Sequence, residues 1–198
     1  CSDHPGRLHV KQTEKAPAML DRIIEPVSLR DANPEARAVL DALRKSHAKV
    51  PVSFAYMAHQ PLALEGFEQF YQSIIHDPRL DKKLRELAYL KTAMLAGCKL
   101  CIANHTASAK AVGLSQGQIA AMDDFDDSAL FSELEKAILR YVEHVACQAG
   151  KSPEPLLRQL REGLGNDGVV LLTQVIGIAN LFSRFNNALH TYSSEDYP

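Results

Sequence analysis

The 198-residue chain is short of everything that would mark a membrane-spanning, nucleic-acid-binding or disulfide-stapled protein. No apolar run approaches the roughly 20 residues needed to cross a bilayer. The longest, Val169 to Phe182, is interrupted by Thr173, Gln174 and Asn180. Charge of neither sign predominates: 22 Lys+Arg stand against 24 Asp+Glu, a formal net charge of -2. That balance argues against electrostatically driven nucleic-acid binding. Cysteines number four, Cys1, Cys98, Cys101 and Cys147. They are too few and too unevenly spread for a disulfide framework. Strand alternation and a βαβ pattern are also missing, so a thioredoxin fold is not expected.

What is present is a helical pattern with enough apolar residues for one core. Hydrophobic residues make up 46%. A compact chain near this length buries roughly 70% of its unfolded surface and needs no staple to fold. Residues 1–33 are polar and irregular, with Pro5, Pro17 and Pro26. They read as an arm that packs on the body or on a neighbouring subunit. The helical domain is expected over residues 34–198. Asn33-Pro34 supplies an N-cap and a proline at the first helical position. Ala36, Val39, Leu40 and Leu43 follow at helical spacing, and Leu64, Phe67, Phe70, Tyr71 and Ile74 form a second stripe. Asp81 to Ala96 is a further helix, with Leu84, Leu87, Leu90, Met94 and Leu95 as its apolar face and Gly97 as its stop. The next helix begins at the Cys-x-x-Cys pair and runs to Gly113. Ser115 with Gln118, and Ser132 with Glu135, have the spacing of capping boxes. Ser152-Pro153 opens one more helix and Asn166 opens the last. Asp123 to Asp127 reads as a solvated acidic turn.

The chemistry concentrates in one stretch. Cys98, Cys101 and His105 stand at i, i+3 and i+7, one face of a helix. The pair sits at the start of its helix, where unpaired backbone N–H groups and the positive end of the helix dipole favour a thiolate. Lys99 adds positive charge. Glu86, on the preceding helix among Leu87, Tyr89, Leu90 and Ala93, is expected to be partly buried, which suits a carboxyl group for proton transfer. Pairing with Arg85, Lys82 or Lys83 on a solvated face is the other reading of Glu86. The Cys pair by itself fits dithiol redox chemistry, a zinc site built from Cys98, Cys101, His105 and Glu86, or two inert buried thiols. A c-type haem is excluded because Ile102 follows Cys101. Cys147 reads as a small buried hydrophobe. His47, His59, His76, His144 and His190 read as surface or satisfied core residues, and Arg184, Asn186 and Asn187 as structural. Tyr89 and Phe70 are core candidates that could also border a substrate channel.

The order Glu86-x11-Cys98-x2-Cys101-x3-His105 resembles alkylhydroperoxidase D and its relatives in the carboxymuconolactone decarboxylase-like superfamily. The preceding Leu80-Asp81-Lys-Lys-Leu-Arg-Glu86, the stretch Ala107 to Ser115 and the tail Asn180 to Ala188 are similar to that family too. The resemblance covers roughly residues 52–189 and is nearest to the peroxidase-related branch. It implies an all-α, alkylhydroperoxidase D-like bundle that forms a homo-oligomer. It implies a thiol peroxidase or disulfide oxidoreductase acting on alkyl or hydrogen peroxides, with an external thiol or dithiol reductant and no haem, flavin or metal. It makes Cys101 the peroxidatic thiol, Cys98 the resolving one, and Glu86 with His105 a proton relay. The residue before the second cysteine is Leu100, where the best-known members carry a histidine. A lyase using Glu86 and His105 on a small acidic ring compound is the alternative, as is a redox-sensing or zinc-holding module. The resemblance implies the cytoplasm. Cys1 followed by Ser2 also fits an envelope lipoprotein anchored through Cys1, with Ser2 to Lys15 as its tether.

Overall fold

The structure, a computed structural model, describes residues 23–47, 49–148 and 150–191, with only the backbone of His47. The expectations for Cys1 and for the first 22 residues of the arm lie outside the described residues. Among those described there are eight α-helices and no strand. They are α1 (Pro34–His47), α2 (Val52–Met57), α3 (Pro61–Ile75), α4 (Lys82–Leu95), α5 (Lys99–Ala111), α6 (Gln116–Ala120), α7 (Glu133–Cys147) and α8 (Glu154–Leu189). The expected all-α bundle is therefore the observed fold.

Local sequence signals set most of the helix ends. Asn33 Oδ1 accepts from Ala36 N at 2.9 Å at the start of α1. Asp81 caps α4 by accepting from Lys83 N and Leu84 N. Both capping boxes form, Ser115 with Gln118 on α6 and Ser132 with Glu135 on α7. Gly97 follows α4 at φ 64°, a left-handed conformation that costs glycine little. Gly165 (φ 70°, ψ 174°) breaks α8, so its second stretch starts at Asn166 as the sequence implies. That backbone region is essentially restricted to glycine.

Helix α4 is the hub and packs against α5, α7 and α8. Its middle is buried on every side, from Leu87 through Ala93. The expected stripe is correct for Leu87 and Leu90, while Leu84, Met94 and Leu95 lie only half-buried. Each fully buried leucine contributes about 1.5–3 kcal/mol, against about 1 kcal/mol for a cap. Packing around α4 thus outweighs the end signals. By length and composition alone α8 could cross a membrane. Here Leu172, Val175, Ile176 and Ala179 are fully buried in the bundle, and α8 packs on α3, α4 and α7. Phe70 departs from its stripe and lies exposed on α3. Cys147 is half-buried and disulfide-bonded, not a free thiol in the core.

The hub also holds a buried cation. Lys91 is 2% exposed, and its Nζ donates to the Met122 carbonyl at 2.9 Å. Glu143 Oε1 lies at 2.9 Å and Asp123 Oδ1 at 3.4 Å, with the Phe125 ring 5.3 Å below. One side chain of α4 thereby ties α7 and the acidic turn after α6 to the core. Lys91→Met keeps the stem's packing but leaves the Met122 carbonyl unpaired. Urea unfolding of that variant is expected to show a loss of about 1–3 kcal/mol; a loss below about 0.5 kcal/mol would mean the two carboxylates and the carbonyl are solvated without it.

Candidate functional site

The end of α4 and the start of α5 turn back at Gly97, which brings Glu86 and Cys98 onto facing helices. Cys98 is the N-cap of α5, and its Sγ accepts from Cys101 N at 3.3 Å. One helical turn on, Cys101 Sγ lies 2.7 Å from Cys98 Sγ. Both thiols are free and buried. His105 follows a turn later, and its Nδ1 meets Glu86 Oε2 at 2.8 Å. A carboxylate accepts, so Nδ1 is the donor of this bond. The His105 ring stacks on Tyr89, with centroids 3.5 Å apart and planes 13° from parallel.

The structure thus brings together all four expected side chains. Glu86 pairs with His105 and not with Arg85, Lys82 or Lys83; Lys83 instead reaches Glu135 at 2.8 Å. A cavity of about 380 Å³ opens over them. Cys101, Glu86, His105 and Leu100 line it, and Cys98 does not. Its far wall is aromatic, with Phe54, Tyr71 and Phe182 packed at centroid distances of 5.5–5.7 Å. Tyr89 borders it as expected, whereas Phe70 does not. No group of three or more His, Cys, Asp or Glu side chains among the described residues is arranged to hold a metal ion.

Three polar residues that sequence reasoning treated as structural or passed over complete the site. Asn186 of α8 is buried, and its Nδ2 lies 3.3 Å from Cys101 Sγ and 4.0 Å from Cys98 Sγ. Its Oδ1 accepts from Ser53 Oγ of α2 at 2.8 Å. Ser183, one turn before Asn186, is fully buried, and its Oγ has no other polar partner beside the sulfurs. The i, i+3 spacing of Ser183 and Asn186 on an apolar helix was the available sign.

These neighbours divide the charge between the sulfurs. The Cys98 thiol is held down to about 6, first by the hydrogen bond from Cys101. The Cys101 backbone N–H, Asn186 and Ser183 act in the same direction, while burial opposes them. Cys101 is pushed up, first because it donates to Cys98 and next by burial. The pair therefore shares one proton and carries one negative charge near neutral pH. Burial pushes Tyr71 up to about 12 and Tyr89 well above the usual phenol range, with Glu86 adding to both. Both stay neutral and can donate.

The comparisons agree with this architecture. The carboxymuconolactone decarboxylase family model matches residues 61–144, which include Glu86, Cys98, Cys101 and His105. Uncharacterized protein YdfG of Bacillus subtilis (strain 168) is 27% identical over 111 residues, 56% of this chain and 76% of YdfG. Uncharacterized protein YnjA of Escherichia coli (strain K12) is 27% identical over 110 residues, 56% of this chain and 60% of YnjA. The debrominase Bmp8 superposes with a TM-score of 0.73 at 17% identity, covering 87% of this chain and 92% of its own. An alkylhydroperoxidase AhpD core, peroxidase-related protein of Ralstonia eutropha JMP134 gives 0.71 at 19%, covering 83% and 88%. Residues 61–144 thus match the carboxymuconolactone decarboxylase family, and the solved structures share the fold of most of the chain.

A depressed thiol has a definite pH signature. As pH rises through about 6, the ultraviolet absorbance of the reduced protein should gain one thiolate per chain, with no second step until well above the ordinary thiol range. The same ionisation stabilises the reduced fold above that range, and this contribution is lost as pH falls through about 6. Cys101→Ala removes the main donor and should move the step toward 8.5. A wild-type step already near that value would contradict the shared-proton arrangement.

Proposed function

We propose that the protein is a cofactor-free thiol peroxidase that reduces organic hydroperoxides with Cys98 and Cys101. The observation that carries this reading is a free thiol pair, 2.7 Å apart, with one sulfur on a cavity and one behind it. Cys101 is the peroxidatic sulfur because it lines the cavity. Cys98 resolves. The aromatic wall and about 380 Å³ leave room for an organic body, far more than one water's share of about 30 Å³.

The steps balance. The shared proton moves to Cys98, and the Cys101 thiolate attacks the peroxide oxygen bearing hydrogen. The O–O bond breaks, Cys101 becomes a sulfenic acid, and an alkoxide leaves. The alkoxide takes the Cys98 proton through His105, whose partner Glu86 holds the ring in place. The Cys98 thiolate then attacks the Cys101 sulfur, forming the disulfide and expelling hydroxide, which solvent protonates to water. An external thiol or dithiol reductant reopens the bond by thiol–disulfide exchange.

A second reading has support in the Glu86–His105 couple, whose Nε2 suits proton abstraction at the same cavity, and in the name of the matching family. There the couple acts as the acid–base of a lyase on a small acidic ring compound. The two readings separate cleanly. Intact mass after one equivalent of cumene hydroperoxide should show reduced wild type losing two hydrogens and Cys98→Ser gaining one oxygen on Cys101. Unchanged masses after minutes would overturn the peroxidase reading. Lyase turnover that survives Cys98→Ser with Cys101→Ser would put the second in its place.

A further inference from the structure

Peroxide attack needs negative charge at Cys101, yet the resting geometry stores it on Cys98. The donor arrangement around the sulfurs addresses this conflict. Asn186 Nδ2 is closer to Cys101 Sγ, at 3.3 Å, than to Cys98 Sγ, at 4.0 Å. Ser53 Oγ donates to Asn186 Oδ1 at 2.8 Å, which fixes the amide with its NH₂ toward the sulfurs. Ser183 Oγ is a second buried donor on the same face of α8 with nothing else to bond. A buried hydroxyl without a partner is costly, so its natural role is to bond a sulfur anion.

We infer that Asn186 and Ser183 form a neutral anion hole, oriented by Ser53, that spans both sulfurs and holds the negative charge at Cys101 once the pair's proton has moved to Cys98. They are positioning residues, acting through the sulfurs, and they extend the active site beyond the motif to α2 and α8. The inference rests on the thiol-peroxidase reading for its purpose but not for its test. The same hole would hold the sulfenate oxygen once Cys101 is oxidised.

The titratable and charged groups that share the cavity with Cys101 are Tyr89 and Glu86 of α4, His105 of α5, Tyr71 of α3 and Lys49 ahead of α2. From α8 the pair meets the neutral Ser183 and Asn186, and Ser53 of α2 acts through Asn186. Stabilisation from that side therefore does not itself titrate. This separates it from the Glu86–His105 couple.

Trypsin cuts after Lys99, between the two cysteines, so each thiol falls on its own peptide. The reduced protein is pulsed with iodoacetamide across pH 5–10, and alkylation of each peptide is read by mass spectrometry. Wild type should be alkylated first at Cys101. In Asn186→Leu the Cys101 rate at neutral pH should fall about tenfold, matching one unit of lost thiolate stabilisation. Ser183→Ala should move it in the same direction by less. Asn186→Asp places a carboxylate where the donor stood and should raise the pH midpoint further than Leu does. Thermal melts identify any variant that has unfolded, and Ser183→Ala, which removes a single atom, keeps the test open if both Asn186 variants do. Folded variants with the wild-type site distribution and pH midpoint would overturn the inference. Shifted alkylation without peroxide turnover in wild type would sustain the anion hole and defeat the peroxidase reading instead.

Discussion

The constraint on which this structure depends is the burial of two free thiols 2.7 Å apart, with Cys98 held toward its anion, inside an apolar bundle. A buried charge without partners is too costly for a marginally stable fold to carry. Each surrounding element meets part of that cost. Helix α5 offers the Cys101 N–H and the Cys101 thiol, and α8 offers Asn186 and Ser183. Helix α2 does not touch the sulfurs with a donor of its own, but Ser53 orients the Asn186 amide. This accounts for a six-residue helix, Val52–Met57, in which five residues are buried. It positions one hydroxyl at the closed end of the site and contributes Phe54 to the cavity wall.

A second buried charge lies on the other side of α4 and is treated differently. Lys91 is held by a carbonyl, two partly exposed carboxylates and an aromatic face. Its pairing is complete and faces away from the cavity, so it serves the fold. The thiol pair has incomplete pairing and a cavity on one side, so it stays reactive. Helix α4 stands between the two and carries Glu86 toward the cavity and Lys91 toward α7. It is buried all round because both of its flanks have charges to enclose.

How far the sequence revealed this follows from the range of each signal. Caps and breaks depend on three or four neighbouring residues, so the caps Asn33, Ser115 and Ser132, the stop at Gly97 and the starts at Asp81 and Asn166 were all legible. The spacing of Glu86, Cys98, Cys101 and His105 was legible because α4 and α5 are adjacent in chain and in space. Asn186 and Ser53 are 133 residues apart, and no local period links them to the thiols. A polar residue on an apolar helix shows only that something must satisfy it. Phe70 failed for the reverse reason: its spacing fits the stripe, but the helix face it belongs to has no neighbour there. Cys147 looked like a core thiol, and a disulfide leaves no mark in the residues around it.

Leu100 connects these points to the chemistry. A histidine at that position would set a titrating group beside the cavity sulfur. Leucine leaves an apolar wall there instead. On the proposed reading, proton movement then falls to the Glu86–His105 couple, and stabilisation of the sulfur anion falls to neutral donors from α8. Neutral donors keep their strength across the pH range, beside a cavity whose ionisable lining includes Lys49, Glu86 and His105. They also leave the cavity's walls free for an uncharged organic body, which Phe54, Tyr71 and Phe182 can surround. On the proposed reading, one mobile proton, one acid–base couple and an aromatic wall suit a substrate that arrives neutral and leaves neutral. An organic hydroperoxide reduced to its alcohol has that character.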